Sequence, residues 1–309
     1  MKTTVYLMRH GRVGGGGPRH FHGQIDVMPD DLGRRQGEEL AARLSREKIT
    51  AVYHTGLERT RRLAGQVGEP HALTPKIEAG LMEISFGEWE GLSESEVRTK
   101  WPGMLEARAR DYLGFRPPGG ESISEMFQRV VSAFEELVAR HPGEAIAVAG
   151  HANVNRALLS NAVGGGPELV WRFSQFYGCV NRIDHLPDQG FFLVYANLLN
   201  TAACLAPTQS KLKVYLDDER IAPEGWQQAR WPGEVIALLE TGLVSHISLD
   251  HDLGDDERGT GYDVILWIEE AVATSNFYPP KISVHSANSS ARKKMEAGVR
   301  SIERFFRQP

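Results

Sequence analysis

Val5-Tyr6-Leu7-Met8-Arg9-His10-Gly11 is the stretch on which the reading of this chain turns. Four apolar residues in a row, too few for a helix and closed by a cation, an imidazole and a glycine, predict a strand buried on both faces. In a parallel sheet the carboxyl ends of such strands carry the chemistry. Neutral imidazole is nucleophilic near pH 7, and a neighbouring guanidinium can hold phosphate oxygens, so His10 beside Arg9 is a candidate phosphoryl acceptor.

Three further pieces follow in order. Thr55-Gly56-Leu57-Glu58-Arg59-Thr60 comes after the strand-like run Ala51–Tyr53 and offers Arg59 from the start of a helix, where backbone amides also favour an anion. Either of its neighbours Arg61 and Arg62 could take the place of Arg59. Leu81-Met82-Glu83-Ile84-Ser85-Phe86-Gly87-Glu88-Trp89-Glu90-Gly91 sets a carboxyl group, Glu83, near two aromatic rings that would exclude water from it. Ala149-Gly150-His151-Ala152 closes the strand-like run Ala145–Ala149 with a second histidine. Helical runs at Leu32–Arg46, Leu57–Val67 and Ile123–Arg140 separate the strands, which is an α/β pattern. Arg19, His20 and His22 either line an entrance or belong to a solvated loop.

The chain has 309 residues, 41% hydrophobic and 24% charged, as expected of two globular domains. Its two cysteines, Cys179 and Cys204, suggest neither a disulfide framework nor a zinc site, and a reducing cytoplasm is the expected compartment. No apolar run reaches the ~18 residues that span a bilayer. The net charge of −5 confines any nucleic-acid contact to a local patch. The small, polar stretch Thr201–Ser210 reads as a linker, giving domains at 1–206 and 211–309.

These motifs resemble the histidine phosphatase, or phosphoglycerate mutase-like, superfamily over roughly residues 3–200, with further matches at Gly23-Gln24-Ile25-Asp26, Leu32-Gly33-Arg34-Arg35-Gln36 and Pro117-Pro118-Gly119-Gly120-Glu121-Ser122. The resemblance implies a three-layer α/β sandwich in which His10 accepts the phosphoryl group. It also implies a phosphate pocket of Arg9, Arg59 and His151, Glu83 as proton donor, and no cofactor. The chain departs from the family pattern at Arg12-Val13, Gly56 and Ala152, none of which removes a catalytic side chain.

The second half repeats the alternation of strand and helix, with strands at Leu212–Leu216, His246–Leu249 and Ile282–Val284 and helices at Gly233–Thr241, Tyr262–Ala273 and Ala291–Phe306. Its polar residues gather at strand ends, in Leu216-Asp217-Asp218-Glu219-Arg220, Ser248-Leu249-Asp250-His251-Asp252-Leu253-Gly254 and Val284-His285-Ser286-Ala287-Asn288. Carboxylates crowded at one sheet edge repel one another unless a cation or protons intervene, and magnesium held by Asp217, Asp218 and Asp250 or Asp252 is the economical expectation. The outline resembles a receiver domain of the flavodoxin-like class, and more closely the receiver-like family that processes cyclic phosphates, over about Lys211–Arg304. An ordinary receiver also carries a lysine after a fifth strand, for which little chain remains after Asn288. His251 and His285 would then share the acid and base work of opening a cyclic phosphodiester.

The fusion suggests ring opening by the second domain and removal of the resulting monoester by the first, on RNA 2′,3′-cyclic phosphate ends or a small nucleotide-derived cyclic phosphate. Two other readings are a small-metabolite phosphatase or mutase with a nucleotide-binding regulatory domain, and a signalling phosphohistidine phosphatase whose second domain takes up phosphate on Asp250 or Asp252. In the last helix Arg292, Lys293, Lys294, Arg300, Arg304 and Arg307 outnumber Glu296 and Glu303, which fits either an RNA-following face or a solvated one, and Phe305-Phe306 would pack against the domain.

Overall fold

A computed structural model of the chain describes residues 1–14, 20–199, 212–239, 244–254, 259–275, 279–286 and 288–307. Arg19, the linker stretch Thr201–Ser210 with Cys204, and Ala287 lie outside the described residues, as do the side chains of Arg304, Phe305, Phe306 and Arg307. The chain divides into two compact units, Met1–Cys204 and Leu205–Pro309, each with its own sheet.

The first unit holds β1 (Thr3–Arg9), β2 (Ala51–His54), β3 (Lys76–Ile77), β4 (Ala145–Gly150), β5 (Val180–Leu186) and β6 (Gly190–Leu198), in the order β3-β2-β4-β1-β5-β6. The strands from β3 to β1 run parallel, and β5 and β6 are antiparallel additions at one edge. Its helices are α1 (Asp31–Leu44), α2 (Glu58–Gly68), α3 (Glu94–Lys100), α4 (Met104–Arg110), α5 (Ile123–Ala139) and α6 (Ala152–Ala162).

The unbroken apolar run of β1 follows from burial on both faces. Tyr6 and Met8 pack with Leu40, Leu44, Leu63 and Val67 of α1 and α2, while Val5 and Leu7 pack with Met126, Phe134, Leu137 and Leu158 of α5 and α6. Three layers result, and each large apolar side chain fully buried between them contributes about 1.5–3 kcal/mol. Helix starts are set by local chemistry. Asp30 caps α1 by accepting from the Gly33 amide at 2.8 Å, and Ser122 with Glu125 forms a reciprocal capping box at α5. No side chain at its own N-cap serves α2; Asp26 reaches in from a distant loop and accepts from the Glu58 amide at 2.7 Å.

The sequence reading overlooked β5 and α6, which bury polar groups, and the edge strand β6, whose Phe192 and Val194 are exposed. Arg182 and Lys2 both pair with Asp184 at 2.9 Å in β5, and Asn155 and Arg156 are buried in α6. The helical run expected to reach Arg46 stops at Leu44, and that expected from Leu57 starts at Glu58.

The second unit holds β7 (Leu212–Leu216), β8 (Gln227–Ala229), β9 (Val244–Leu249) and β10 (Lys281–Val284), all parallel in the order β10-β9-β7-β8. Helices α7 (Pro232–Leu239), α8 (Gly261–Ser275) and α9 (Ser289–Arg307) supply Val235, Leu239, Val264, Ile265, Ile268, Met295 and Ile302 to a core with Val214, Leu216, Ile247 and Leu249. Among the described residues the sheet ends at β10, and the fifth strand of an ordinary receiver is not formed. No described helix is long and apolar enough to cross a membrane.

Candidate active site

Because β2, β4 and β1 are parallel neighbours, their carboxyl ends fall on one edge and bring together His54-Thr55, Gly150-His151 and Arg9-His10. His10, Arg59, Glu83 and His151 are all buried. The rings of His10 and His151 meet edge to face with centroids 5.3 Å apart.

The Nδ1–H of His10 is donated to the Gly11 carbonyl oxygen at 2.8 Å, since that oxygen can only accept. Nε2 therefore keeps its lone pair. Burial, then the charges of Arg59 and Arg9, hold His10 well below the usual imidazole range, so the nucleophilic neutral ring prevails. Gly11 must be glycine: a Cβ there would lie 2.0 Å from the Gly33 carbonyl oxygen of α1.

Arg9 donates to the Gln175 carbonyl, and its guanidinium carbon lies 3.7 Å from the centre of the Tyr177 ring. Its Nε is buried without a hydrogen-bond partner. An unmade hydrogen bond on a buried cation is costly, on the order of 1–3 kcal/mol or more, and an anion would remove that cost. Arg59 donates to Gly23 O at 2.6 Å, Ile25 O at 2.7 Å and His151 Nδ1 at 3.3 Å. Arg61 and Arg62 are exposed and pair with Glu58, so Arg59 alone of the three is turned inward. His151 Nε2 lies 2.8 Å from Thr55 Oγ1. Burial, then Arg59 and His10, press His151 well below the usual imidazole range.

Glu83 accepts from the Ile84 amide at 2.9 Å and, more weakly, from the Asn153 amide at 3.4 Å. Phe86 and Trp89 make their ring contacts with Phe21, and Trp89 also with Phe115, so backbone amides form the hydrogen-bonding environment of Glu83. Arg129 fixes this loop by a two-pronged pair with Glu121 at 2.8 Å and by donating to Gly80 O and Met82 O. Gln24 ties it to the Arg59 clamp through Glu83 O at 2.9 Å.

The departures from the family pattern have local reasons. Arg12 pairs with the α1 cap Asp30 at 2.7 Å, and Gly56 adopts φ +101°, closed to proline and strained for other residues. Partly buried His20 and His22 stack with ring centroids 6.1 Å apart, and the charge of His22 is felt at His10. The motif reading gave no sign of Tyr177, Gln175 or Asn155. They lie outside every motif and reach the site by packing, Asn155 donating to Gln175 Oε1 at 2.9 Å. Burial pushes the Cys179 thiol up to about 12, an inert buried group.

In the second unit, Asp217, Asp250 and His285 bring one ligand atom each within 4.8 Å of one another. Two expected metal ligands stand apart from this cluster. Asp218 is directed toward Gly254, and Asp252 is exposed and pairs with His251 Nδ1 at 2.8 Å. Asp217 Oδ1 accepts from the Glu219 and Arg220 amides, closing a turn, and its Oδ2 lies 3.2 Å from His285 Nε2. Asp250 Oδ1 accepts from the His251 amide at 2.7 Å. Arg220 sets its guanidinium 3.8 Å from Asp217 and 4.0 Å from Asp250. Magnesium favours an all-oxygen octahedron, whereas this donor set mixes two carboxylates with an imidazole and already has a guanidinium at its edge. The residues do not fit magnesium, and no step below runs through a metal.

His285 bonds Ser248 Oγ through Nδ1 at 2.7 Å and stacks on Tyr215 with centroids 4.3 Å apart, two contacts the motifs did not announce. On α9, Arg292 pairs with Glu296 at 2.9 Å and the Lys294 ammonium lies 4.0 Å from the centre of the Tyr262 ring, so two of the expected surface cations have partners within the domain.

Residues 5–198 match the model of the histidine phosphatase superfamily, branch 1, and residues 212–301 that of the cyclic-phosphate processing receiver domain. The chain is 29% identical over 199 residues to phosphoserine phosphatase 1 of Hydrogenobacter thermophilus, covering 63% of this chain and 92% of the relative. It is 31% identical over 166 residues to phosphoglycerate mutase-like protein 4 of Arabidopsis thaliana, covering 52% and 71%. The solved structure of the alpha-ribazole phosphatase from Shigella flexneri shares the fold with a TM-score of 0.60 at 24% identity, over 63% of this chain and 96% of that one. The chain thus belongs to the histidine phosphatase superfamily, its phosphatase domain followed by a cyclic-phosphate processing receiver domain.

Proposed function

We propose that the protein removes phosphate in two steps: the second domain opens a cyclic phosphodiester and the first hydrolyses the monoester that results. The observation that carries the phosphatase step is the free Nε2 of His10 beside Arg9, whose buried Nε lacks a partner. In that step Nε2 attacks phosphorus, the ester oxygen leaves with a proton from Glu83, and water then releases phosphate from the histidine. Arg9 and Arg59 balance charge on the travelling phosphoryl group.

A cyclic diester has no freely departing alcohol, because its leaving oxygen stays tethered to the product. Ring opening suits the second domain, where water adds to phosphorus, one ring P–O bond breaks and the freed ribose oxygen takes a proton. The His251 Nδ1–H, donated to Asp252, leaves Nε2 as a base for water, and His285 between Ser248 and Asp217 supplies the acid. The substrates in view are RNA ends carrying a 2′,3′-cyclic phosphate and the cyclic phosphate of ADP-ribose. Supplying both to the full chain and following phosphate release tests the division of labour. His10→Ala should accumulate the monoester and His285→Ala should leave the ring closed. Release at the wild-type rate from both variants would overturn it.

A further inference from the structure

The sheet of the second unit is covered by its helices on one face only. Both β8 to β9 and β9 to β10 step the same way across the order β10-β9-β7-β8, so right-handed crossovers set α7 and α8 on one face, and α9 packs beside α8. Val214, Leu216, Ile247 and Leu249 are buried under that layer. Only β7 to β8 steps the other way, and residues 217–226 make this connection by turns, without a helix. Among the described residues of this unit, no helix covers the opposite face.

Strand register lays out that open face in three rows. Lys213, His246 and Lys281 stand side by side in the first, and Gln228, Tyr215, Ser248 and Ser283 in the second. Two residues further along the same strands come Asp217, Asp250 and His285, so the candidate ring-opening cluster is the carboxyl edge of this face. The first two rows hold no carboxylate. Lys213 and Lys281 are exposed, and among the described residues neither ammonium has a carboxylate partner. The partly exposed Trp226 ring meets Tyr215 edge to face with centroids 6.3 Å apart, and the Lys213 ammonium lies 5.7 Å from the centre of Trp226. Gln228 holds this loop in place, accepting from the Ala222 amide and donating to the Asp217 carbonyl oxygen, both at 2.6 Å.

We propose that the open face is a track for single-stranded RNA whose 3′ end reaches the His285 site, which makes RNA carrying a 2′,3′-cyclic phosphate, rather than a free small nucleotide, the substrate of the second domain. Aromatic rings beside cations on a sheet face suit such a strand, with a base stacked on a ring and phosphates against the lysines. The lysine row lies four residues, or ~13 Å, behind the His285 row. Lys213 and Lys281 are two strands apart, ~10 Å between backbones. Successive nucleotides bring a phosphate to each of two separated cations, whereas the charges of a diphosphate sit together. The cations of α9 belong to the helix layer on the covered side, so the last helix is not the RNA-following face.

The proposal rests on the ring-opening reading of the His285 site, but RNA binding is measured apart from it. The probe is a short fluorescein-labelled single-stranded RNA ending in a 3′-hydroxyl, which neither domain can process. Its anisotropy with the full chain should report an affinity that falls steeply with salt. Lys213→Gln combined with Lys281→Gln should weaken binding by about tenfold or more and flatten the slope of log K against log salt by about 1.4, the share of two phosphates. Trp226→Ala should weaken it ~5- to 150-fold, and Trp226→Phe should recover most of the loss. Lys293→Gln, exposed on α9, should match the wild type. No binding of the RNA overturns the proposal, as does a double lysine variant with wild-type affinity and slope, or a Lys293→Gln variant as impaired as that one. So does turnover of the cyclic phosphate of ADP-ribose in preference to the RNA 2′,3′-cyclic phosphate. Lysine-dependent RNA binding by a chain that opens no ring would uphold the track and refute the ring-opening reading instead.

Discussion

His10 gives its Nδ1 proton to the carbonyl of its own neighbour, Gly11, across 2.8 Å. The same residue that allows close approach to α1 thereby selects the ring nitrogen that reacts. A phosphoenzyme on Nε2 should follow, trapped by denaturing quench after mixing with ³²P-labelled monoester, stable in base and labile in acid. His10→Ala should lose activity by on the order of 10³-fold or more. Label retained by that variant would place the nucleophile elsewhere.

Glu83 and Arg129 should separate by leaving group. Glu83→Gln should slow hydrolysis of alkyl phosphates by ~10²–10⁴-fold and spare p-nitrophenyl phosphate, whose phenolate departs without a proton. Arg129→Lys should shift the same comparison in the same direction by less, because one ammonium cannot reproduce the paired contacts to Glu121 and the carbonyls of Gly80 and Met82. Equal slowing of both substrate types would remove Glu83 as the acid.

Acid should destabilise the fold through the two pocket histidines. His10 and His151 are held neutral, first by burial and then by Arg59, so the folded state binds fewer protons than the unfolded chain, whose imidazoles titrate near ~6.5. Their contribution is complete above that value and is lost as pH falls from it toward the lowered folded values. Urea midpoints should therefore drop between about pH 6.5 and 5, and His10→Asn should flatten the slope. A midpoint that rises with acid in this window would contradict the assignment.

Gly11→Ala should cost about 1–3 kcal/mol or more in urea unfolding, because the added methyl meets backbone at Gly33 O, which cannot swing aside. Gly65→Ala, with nothing within 4 Å of its Cβ on an α2 surface, should be neutral or stabilising in the same assay.

The linear sequence determined the parts whose physics is local or periodic. Val5–Met8 could only be a doubly buried strand, and parallel strands ending in Arg9-His10, Thr55 and His151 had to share an edge. Inward Arg59 among three arginines, the Tyr177 stack on Arg9 and the Thr55 hydroxyl beside His151 were decided by the tertiary structure alone. So was the grouping of Asp217 and Asp250 with His285, which left Asp218 and Asp252 aside. Spacing along a chain states which face a residue can occupy; which atoms then meet depends on strand register, side-chain rotamer and the competition of buried donors for a few acceptors, and those exist only once distant segments have packed.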